Sequence, residues 1–219
     1  MKTVLILSWW LDSTTLLYRL ISEWKEVLAI SFDYGQRHKK ELDYAAKTCA
    51  KLGIPHQVVD LSSITGLINN SCLTGEVSVT DGEYYEESMK LTVVPNRNSI
   101  LANIAIAYAI NIEADEISLW VHSGDHHIYP DCRPLFIEAL RDLAQVCDYR
   151  RIGVYTPYLQ ADKRDILLDG VKFWVDYGST WTCYKGSELA CWVCGSCNER
   201  LAAFKEAGLS DPLRYENSK

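Results

Sequence analysis

The 219-residue chain has no run of about 18 or more apolar residues, so nothing in it has the length of a membrane-spanning helix. Its first residues, Met1 to Leu7, show no basic region and no cleavage site before a strand-like pattern begins. No secretory leader is therefore expected, and a cytoplasmic setting is. Positive charge is scarce: 22 Lys and Arg stand against 29 Asp and Glu, a formal net charge of −7. A surface that follows nucleic-acid phosphates needs the opposite balance. Direct nucleic-acid or membrane binding is accordingly not expected, and a small-molecule substrate fits better. No internal repeat or low-complexity tract is visible, and a 48% hydrophobic content suffices for one large domain, or one domain with a small appendage.

What is present reads as alternating strands and helices. Thr3 to Ser8 is a short aliphatic run suited to a buried parallel strand, followed by helical spacing over Ser13 to Glu23. Glu26 to Phe32 predicts a second strand, Glu41 to Leu52 a helix ended by Gly53, and His56 to Asp60 a third strand. Leu61 to Thr92 is polar and reads as an excursion near the site. Asn98 to Ile112 is almost wholly apolar and predicts a buried helix. Beyond it come strand Glu116 to Val121, helix Arg133 to Val146, strand Ile152 to Thr156, and helices Lys163 to Phe173 and Glu199 to Ala207. The pattern predicts an α/β fold, a Rossmann-like five-stranded parallel sheet with helices on both faces. Residues 1–160 would form the nucleotide-binding unit and 161–219 a small helical segment.

Four of the eight cysteines fall within fifteen residues: Cys183, then Cys191-x-x-Cys194-x-x-Cys197. In a reducing compartment such clustering points to a metal rather than to disulfides. The spacing suits structural zinc or an iron–sulfur cluster.

In open parallel sheets, ligands bind at the carboxyl ends of strands, with phosphate favoured where a strand turns into a helix. Here that turn reads Ser8-Trp9-Trp10-Leu11-Asp12-Ser13-Thr14-Thr15. It resembles the S-G-G-x-D-S loop of the PP-loop ATP pyrophosphatases, with tryptophans at both glycine positions. Phe32-Asp33-Tyr34-Gly35-Gln36-Arg37-His38, Val94-Pro95-Asn96-Arg97-Asn98, Gly124-Asp125-His126, Tyr129-Pro130-Asp131-Cys132-Arg133 and Thr182-Cys183-Tyr184 resemble further blocks of one family. That family is the 7-cyano-7-deazaguanine synthases (QueC), and the blocks span most of the chain.

The resemblance implies an adenine nucleotide alpha hydrolase-like fold and a carbon–nitrogen ligase of queuosine biosynthesis. That ligase converts 7-carboxy-7-deazaguanine, ammonia and ATP to 7-cyano-7-deazaguanine. It also implies a homodimer, zinc on the four cysteines, and ATP with Mg²⁺. Carried over residue by residue, Ser8, Asp12, Ser13, Thr14 and Thr15 would serve pyrophosphate and Mg²⁺, with Asp12, Ser13, Asp125, Asp131 and Arg133 in the chemistry. Gln36, Arg37, Arg97 and Tyr129 would hold the substrate.

The departures also follow a pattern. Trp9, Trp10, Trp120 and Trp192 stand where the family has glycine, with Trp174 a further candidate, and His127 and Leu135 are unusual beside their motif. Each indole brings about 150–250 Å² of surface, too much for a loop shaped around one phosphate, so both rings of the first loop are expected to compete with pyrophosphate. Three readings remain open: a working ligase with an unusual loop, a filled and inactive scaffold, and a PP-loop tRNA-modifying enzyme using cysteines as sulfur carriers.

Overall fold

The computed structural model describes residues 1–36, 40–75, 87–185 and 188–216. Five strands, β1 (Lys2–Ile6), β2 (Glu26–Asp33), β3 (His56–Asp60), β4 (Glu116–Ser118) and β5 (Gly153–Tyr155), form one parallel sheet in the order β3-β2-β1-β4-β5. Among the described residues six α-helices accompany them: α1 (Leu11–Ser22), α2 (Lys40–Leu52), α3 (Arg97–Asn111), α4 (Pro134–Val146), α5 (Lys163–Lys172) and α6 (Gly195–Glu206).

The side chains of β1 alternate between two cores, as the period of two in a strand requires. Leu5 and Leu7 join the core formed with Leu16, Leu17 and Leu20 of α1, Ala45 and Cys49 of α2, Ile166 and Leu167 of α5, and Phe204 of α6. Val4 and Ile6 join Leu101, Ala105 and Ala109 of α3 and Leu140 and Ala144 of α4 on the other face. No helix of the described residues is long and apolar enough to cross a membrane.

The chain moves outward from β1 to β2 to β3, then returns to the far side of β1 for β4 and β5. The direction of winding therefore reverses between β1 and β4. At such a reversal the loops leaving neighbouring strands diverge and open a crevice.

Several expected bounds shift. α6 starts at Gly195 rather than at Glu199, because Cys194 already acts as its N-cap, so Cys197 lies in the first turn. β4 ends at Ser118, which leaves Trp120 two residues beyond the strand rather than closing it. α3 is apolar along most of its length, yet only one face is buried, through Asn98, Leu101, Ala102, Ala105, Ile106 and Ala109.

The backbone carries one unexpected regularity. Six described non-glycine residues have positive φ, and four are tryptophans: Trp9 (φ 63°), Trp24 (φ 55°), Trp174 (φ 60°) and Trp192 (φ 69°). Left-handed backbone crowds Cβ against the following carbonyl, so this is ordinarily a glycine conformation.

Candidate active site

The crevice lies where the topology places it. Ser8 and Trp10 come from the β1–α1 turn, Asp12 from the first turn of α1, Trp120 and Asp125 from the segment after β4, Arg97 and Leu101 from α3, and Glu41 from α2. Tyr34, Tyr129, Lys163 and Tyr184 complete the described lining. The free volume is about 50 Å³. That is room for a few waters, against about 300–1,000 Å³ for an ordinary ligand site.

The turn keeps its polar flanks. Ser8 Oγ bonds Ser13 Oγ at 3.1 Å, and Ser13 Oγ lies 3.3 Å from the carbonyl oxygen of Trp10. Trp10 caps α1 without a side-chain hydrogen bond, so the helix N-terminus keeps its capacity for an anion.

The two indoles part company. Trp10 lines the crevice. Trp9 is fully buried in the core beneath the turn, and its Nε1 donates to the carbonyl of Ser179. The expectation that both rings occupy the phosphate volume therefore needs correction. The left-handed φ of Trp9 turns its side chain inward, and the second ring in the crevice is Trp120.

Behind the turn lies a buried charge cluster. Lys163 Nζ is 3.5 Å from Asp12 Oδ2 and also pairs with Glu199 Oε2, and nearby carboxylates hold its ammonium charged despite burial. His122 Nε2 lies 3.5 Å from Asp125 Oδ2 and 3.8 Å from Asp12 Oδ2. Its Nδ1 accepts from Gly124 N at 3.1 Å, which places the proton of the neutral ring on Nε2. His122 Nε2 is close to both carboxylates but is buried without a hydrogen-bond partner. Asp12 Oδ1 is buried without a hydrogen-bond partner, and ligand atoms of His122, Asp125 and Glu199 lie within 4.8 Å of one another. A carboxylate set with an orphaned oxygen suits a hard cation.

Of the residues expected at the site, Ser8, Asp12, Asp125, Arg97 and Tyr129 line the crevice. Tyr129 OH bonds Thr92 at 2.7 Å and Tyr184 OH at 3.3 Å. Ser13 braces the turn, and Thr14 Oγ1 is buried without a partner. Thr15 faces the opposite way: its hydroxyl bonds Leu11 O and Tyr177 OH. Asp131 Oδ2 accepts from the backbone N of Asn98, tying down the start of α3, and Arg133 Nε donates to His126 O. Gln36 stands behind Glu41, donating to it at 2.9 Å. Arg37 lies outside the described residues.

Sequence reasoning missed Glu41, His122, Lys163 and Glu199. They come from four separate elements and share no local motif. Burial pushes the Glu41 carboxyl up to about 7, although Gln36 and Trp10 donate to it.

The cysteines converge. Ligand atoms of Cys183, Cys191, Cys194 and Cys197 all lie within 4.8 Å of one another, and Cys191 Sγ and Cys197 Sγ are 4.0 Å apart. A tetrahedral ion with thiolates at about 2.3 Å needs sulfurs about 3.8 Å apart, so the four fit one ion. Trp192, between Cys191 and Cys194, has left-handed backbone, yet Cys194 N still reaches Cys191 Sγ at 3.3 Å.

A parallel sheet with this order, its crevice at the reversal and a cysteine cluster near the C-terminus, defines a Rossmann-like, adenine nucleotide alpha hydrolase-like protein. An NH3-dependent NAD synthetase from Campylobacter jejuni shares the fold, with a TM-score of 0.50 at 16% identity over 80% of this chain and 65% of that one. Residues 2–208 match the family model described as "Queuosine biosynthesis protein QueC", and the chain belongs to that family. The 7-cyano-7-deazaguanine synthase of Alteromonas mediterranea is 52% identical over 98% of this chain and 99% of its own. That of Methanoregula boonei is 52% identical over 99% of this chain and 100% of its own.

Proposed function

We propose that the chain is the scaffold of an ATP-dependent ligase making 7-cyano-7-deazaguanine from 7-carboxy-7-deazaguanine and ammonia, with nucleotide binding impaired by Trp10 and Trp120. One observation carries this reading. The polar groups suited to phosphates and a cation remain around a crevice of only about 50 Å³ whose walls include both indoles.

The reaction needs positioning and charge stabilisation more than covalent help. A substrate carboxylate oxygen attacks the α-phosphorus of ATP and pyrophosphate leaves. Ammonia then attacks the acyl carbon, AMP leaves, and loss of a proton gives the amide. The amide oxygen attacks the α-phosphorus of a second ATP and pyrophosphate leaves; departure of AMP with loss of the two N–H protons then gives the nitrile.

Ser8, Ser13, Thr14 and the free N–H groups of α1 would hold pyrophosphate. Thr15 would act only through the packing of α1. Asp12 and Asp125 would hold Mg²⁺, which when bound offsets phosphate charge. Lys163 holds Asp12 in place. Arg97, Arg37, Gln36 and Tyr129 serve the substrate, Asp131 fixes the start of α3, and Arg133, at the start of α4, braces the segment that carries Asp125. The four cysteines hold structural zinc, residues 161–219 form the segment that carries it beside the nucleotide-binding unit of 1–160, and the protein acts as a cytoplasmic homodimer.

The test supplies the parent and the Trp10→Gly/Trp120→Gly chain with 7-carboxy-7-deazaguanine, ammonia, ATP and Mg²⁺, and follows AMP and the nitrile by chromatography and mass spectrometry. The nitrile should form with the opened chain alone. Turnover by the parent would contradict the impairment; no product from a folded opened chain would contradict the assignment.

A further inference from the structure

Trp10 places a bicyclic heteroaromatic N–H donor inside the crevice. Its Nε1 donates to Glu41 Oε2 at 3.1 Å, and its ring centroid lies 5.3 Å from that of Tyr184 at an interplanar angle of 55°. Glu41 is 7% exposed, in the first turn of α2. Its other oxygen accepts from Gln36 Nε2 at 2.9 Å, and Gln36 is itself fixed, donating to Phe32 O and accepting from Tyr34 N. The carboxyl group is thus oriented from behind and offers Oε2 to the crevice. Burying a carboxylate is costly without strong donors, and the indole is the donor the crevice supplies.

We propose that Glu41 recognises the 2-aminopyrimidinone edge of the bicyclic substrate, and that the indole of Trp10 occupies that ring's place. The inference rests on the reading of the site as a 7-cyano-7-deazaguanine synthase site. A pyrrolopyrimidine has the bicyclic outline of indole. Its ring N–H and exocyclic amine form a donor–donor edge that only an acceptor pair satisfies, and an ionised carboxylate is acceptor-only. Tyr34 and Tyr184 line the same crevice, and Tyr184 meets the indole at a tilt, a contact an aromatic bicycle in the same place would keep.

The experiment titrates two neutral probes, 7-deazaguanine and 7-deazahypoxanthine, which lacks the exocyclic amine, into Trp10→Gly/Trp120→Gly and into the same chain with Glu41→Gln. With Glu41 present, 7-deazaguanine should bind about 10-fold or more tighter than 7-deazahypoxanthine, as expected for a charge-assisted hydrogen bond. The Glu41→Gln chain should bind the two alike. This ratio is read on one preparation, so partial unfolding does not imitate it. Equal preference in both chains, or no binding of either probe by the opened chain, overturns the inference. The assignment of the reaction fails separately, by absence of the nitrile product while Glu41 is intact.

A different observation carries a second inference. Trp24 and Trp174 lie away from the crevice, 93% and 88% exposed, and each ends a helix in the left-handed region. Trp24 N reaches Ile21 O and Lys25 N reaches Leu20 O, while Trp174 N reaches Val171 O and Val175 N reaches Gly170 O. Gly53 and Gly208 close α2 and α6 with the same pair of bonds, the usual glycine C-terminal motif. An exposed indole contributes nothing there. Trp181, by contrast, is buried, donates to Cys183 O and stacks on Tyr44.

The geometry points to Trp9, Trp24, Trp174 and Trp192, the four tryptophans in left-handed backbone, as positions that the producing cell translates as glycine, through a codon read as tryptophan under one genetic code and glycine under another. Replacements that follow a residue type across loops and helix ends are accounted for in this way. Peptide mass spectrometry of the protein isolated from the organism carrying its gene should read glycine at these four positions and tryptophan at 181. Tryptophan at 24 or 174 overturns the inference.

Discussion

Lys163 Nζ lies between two carboxylates, 3.5 Å from Asp12 Oδ2 and in contact with Glu199 Oε2, and so joins the start of α1 to α6 through α5. All three groups are buried. Lys163→Met would leave the carboxylates facing one another without a cation. Removing one partner of a buried ion pair costs about 3–5 kcal/mol, and a loss of that size is expected in urea denaturation of the variant. A change under about 1 kcal/mol would show that solvent reaches the cluster.

The exposed left-handed tryptophans can be tested without reference to activity. Left-handed backbone costs a non-glycine residue roughly 1–2 kcal/mol, partly offset by glycine's greater freedom in the unfolded chain. Trp24→Gly and Trp174→Gly should each stabilise the protein by about 0.5–1 kcal/mol. Trp9→Gly should do the reverse despite relieved strain, because a fully buried indole is lost and large-to-small core changes cost about 3–5 kcal/mol. Destabilisation by all three variants alike would contradict the strain argument.

Much of this architecture was legible in the residues. Aliphatic runs such as Thr3 to Ser8 and Glu26 to Phe32, separated by helical spacing, lead to the parallel sheet, because strands covered on both faces must be apolar throughout. The directions of neighbouring side chains were not legible. Trp9 and Trp10 are adjacent and identical, and only their backbone angles decide that one enters the core and the other the crevice. Glu41, His122, Lys163 and Glu199 were also hidden. A buried polar residue on an amphipathic helix reads as solvated until the opposing element is known.

Metal content can be measured directly. Four convergent thiolates should retain about one zinc per chain after purification. Cys194→Ser should release it and lower stability markedly, since metal binding and folding are coupled at such sites. Iron with visible absorption would point to a cluster instead.

Glu41 makes ring binding depend on pH. Burial, the largest influence, raises its carboxyl to about 7; Gln36, Trp10 and Arg97 act in the opposite sense and Asp33 in the same one. Below pH 7 the group is protonated and loses its character as a pure acceptor. The affinity of Trp10→Gly/Trp120→Gly for 7-deazaguanine should therefore fall as pH drops from 8 to 6. Stability shifts the other way: the raised value favours the fold at low pH, and that contribution is lost as pH rises through about 7. An affinity flat across this range would remove Glu41 from ring recognition.

Calorimetric titration of ATP with Mg²⁺ into the parent and into Trp10→Gly/Trp120→Gly tests the account most directly. Both chains keep Ser8, Asp12, Ser13 and Lys163, and they differ only in the two indoles that line the crevice. The parent should show no binding at micromolar concentrations, and the opened chain should show it. Micromolar binding by the parent would contradict the filled crevice and place the chain among the ordinary ligases of its family.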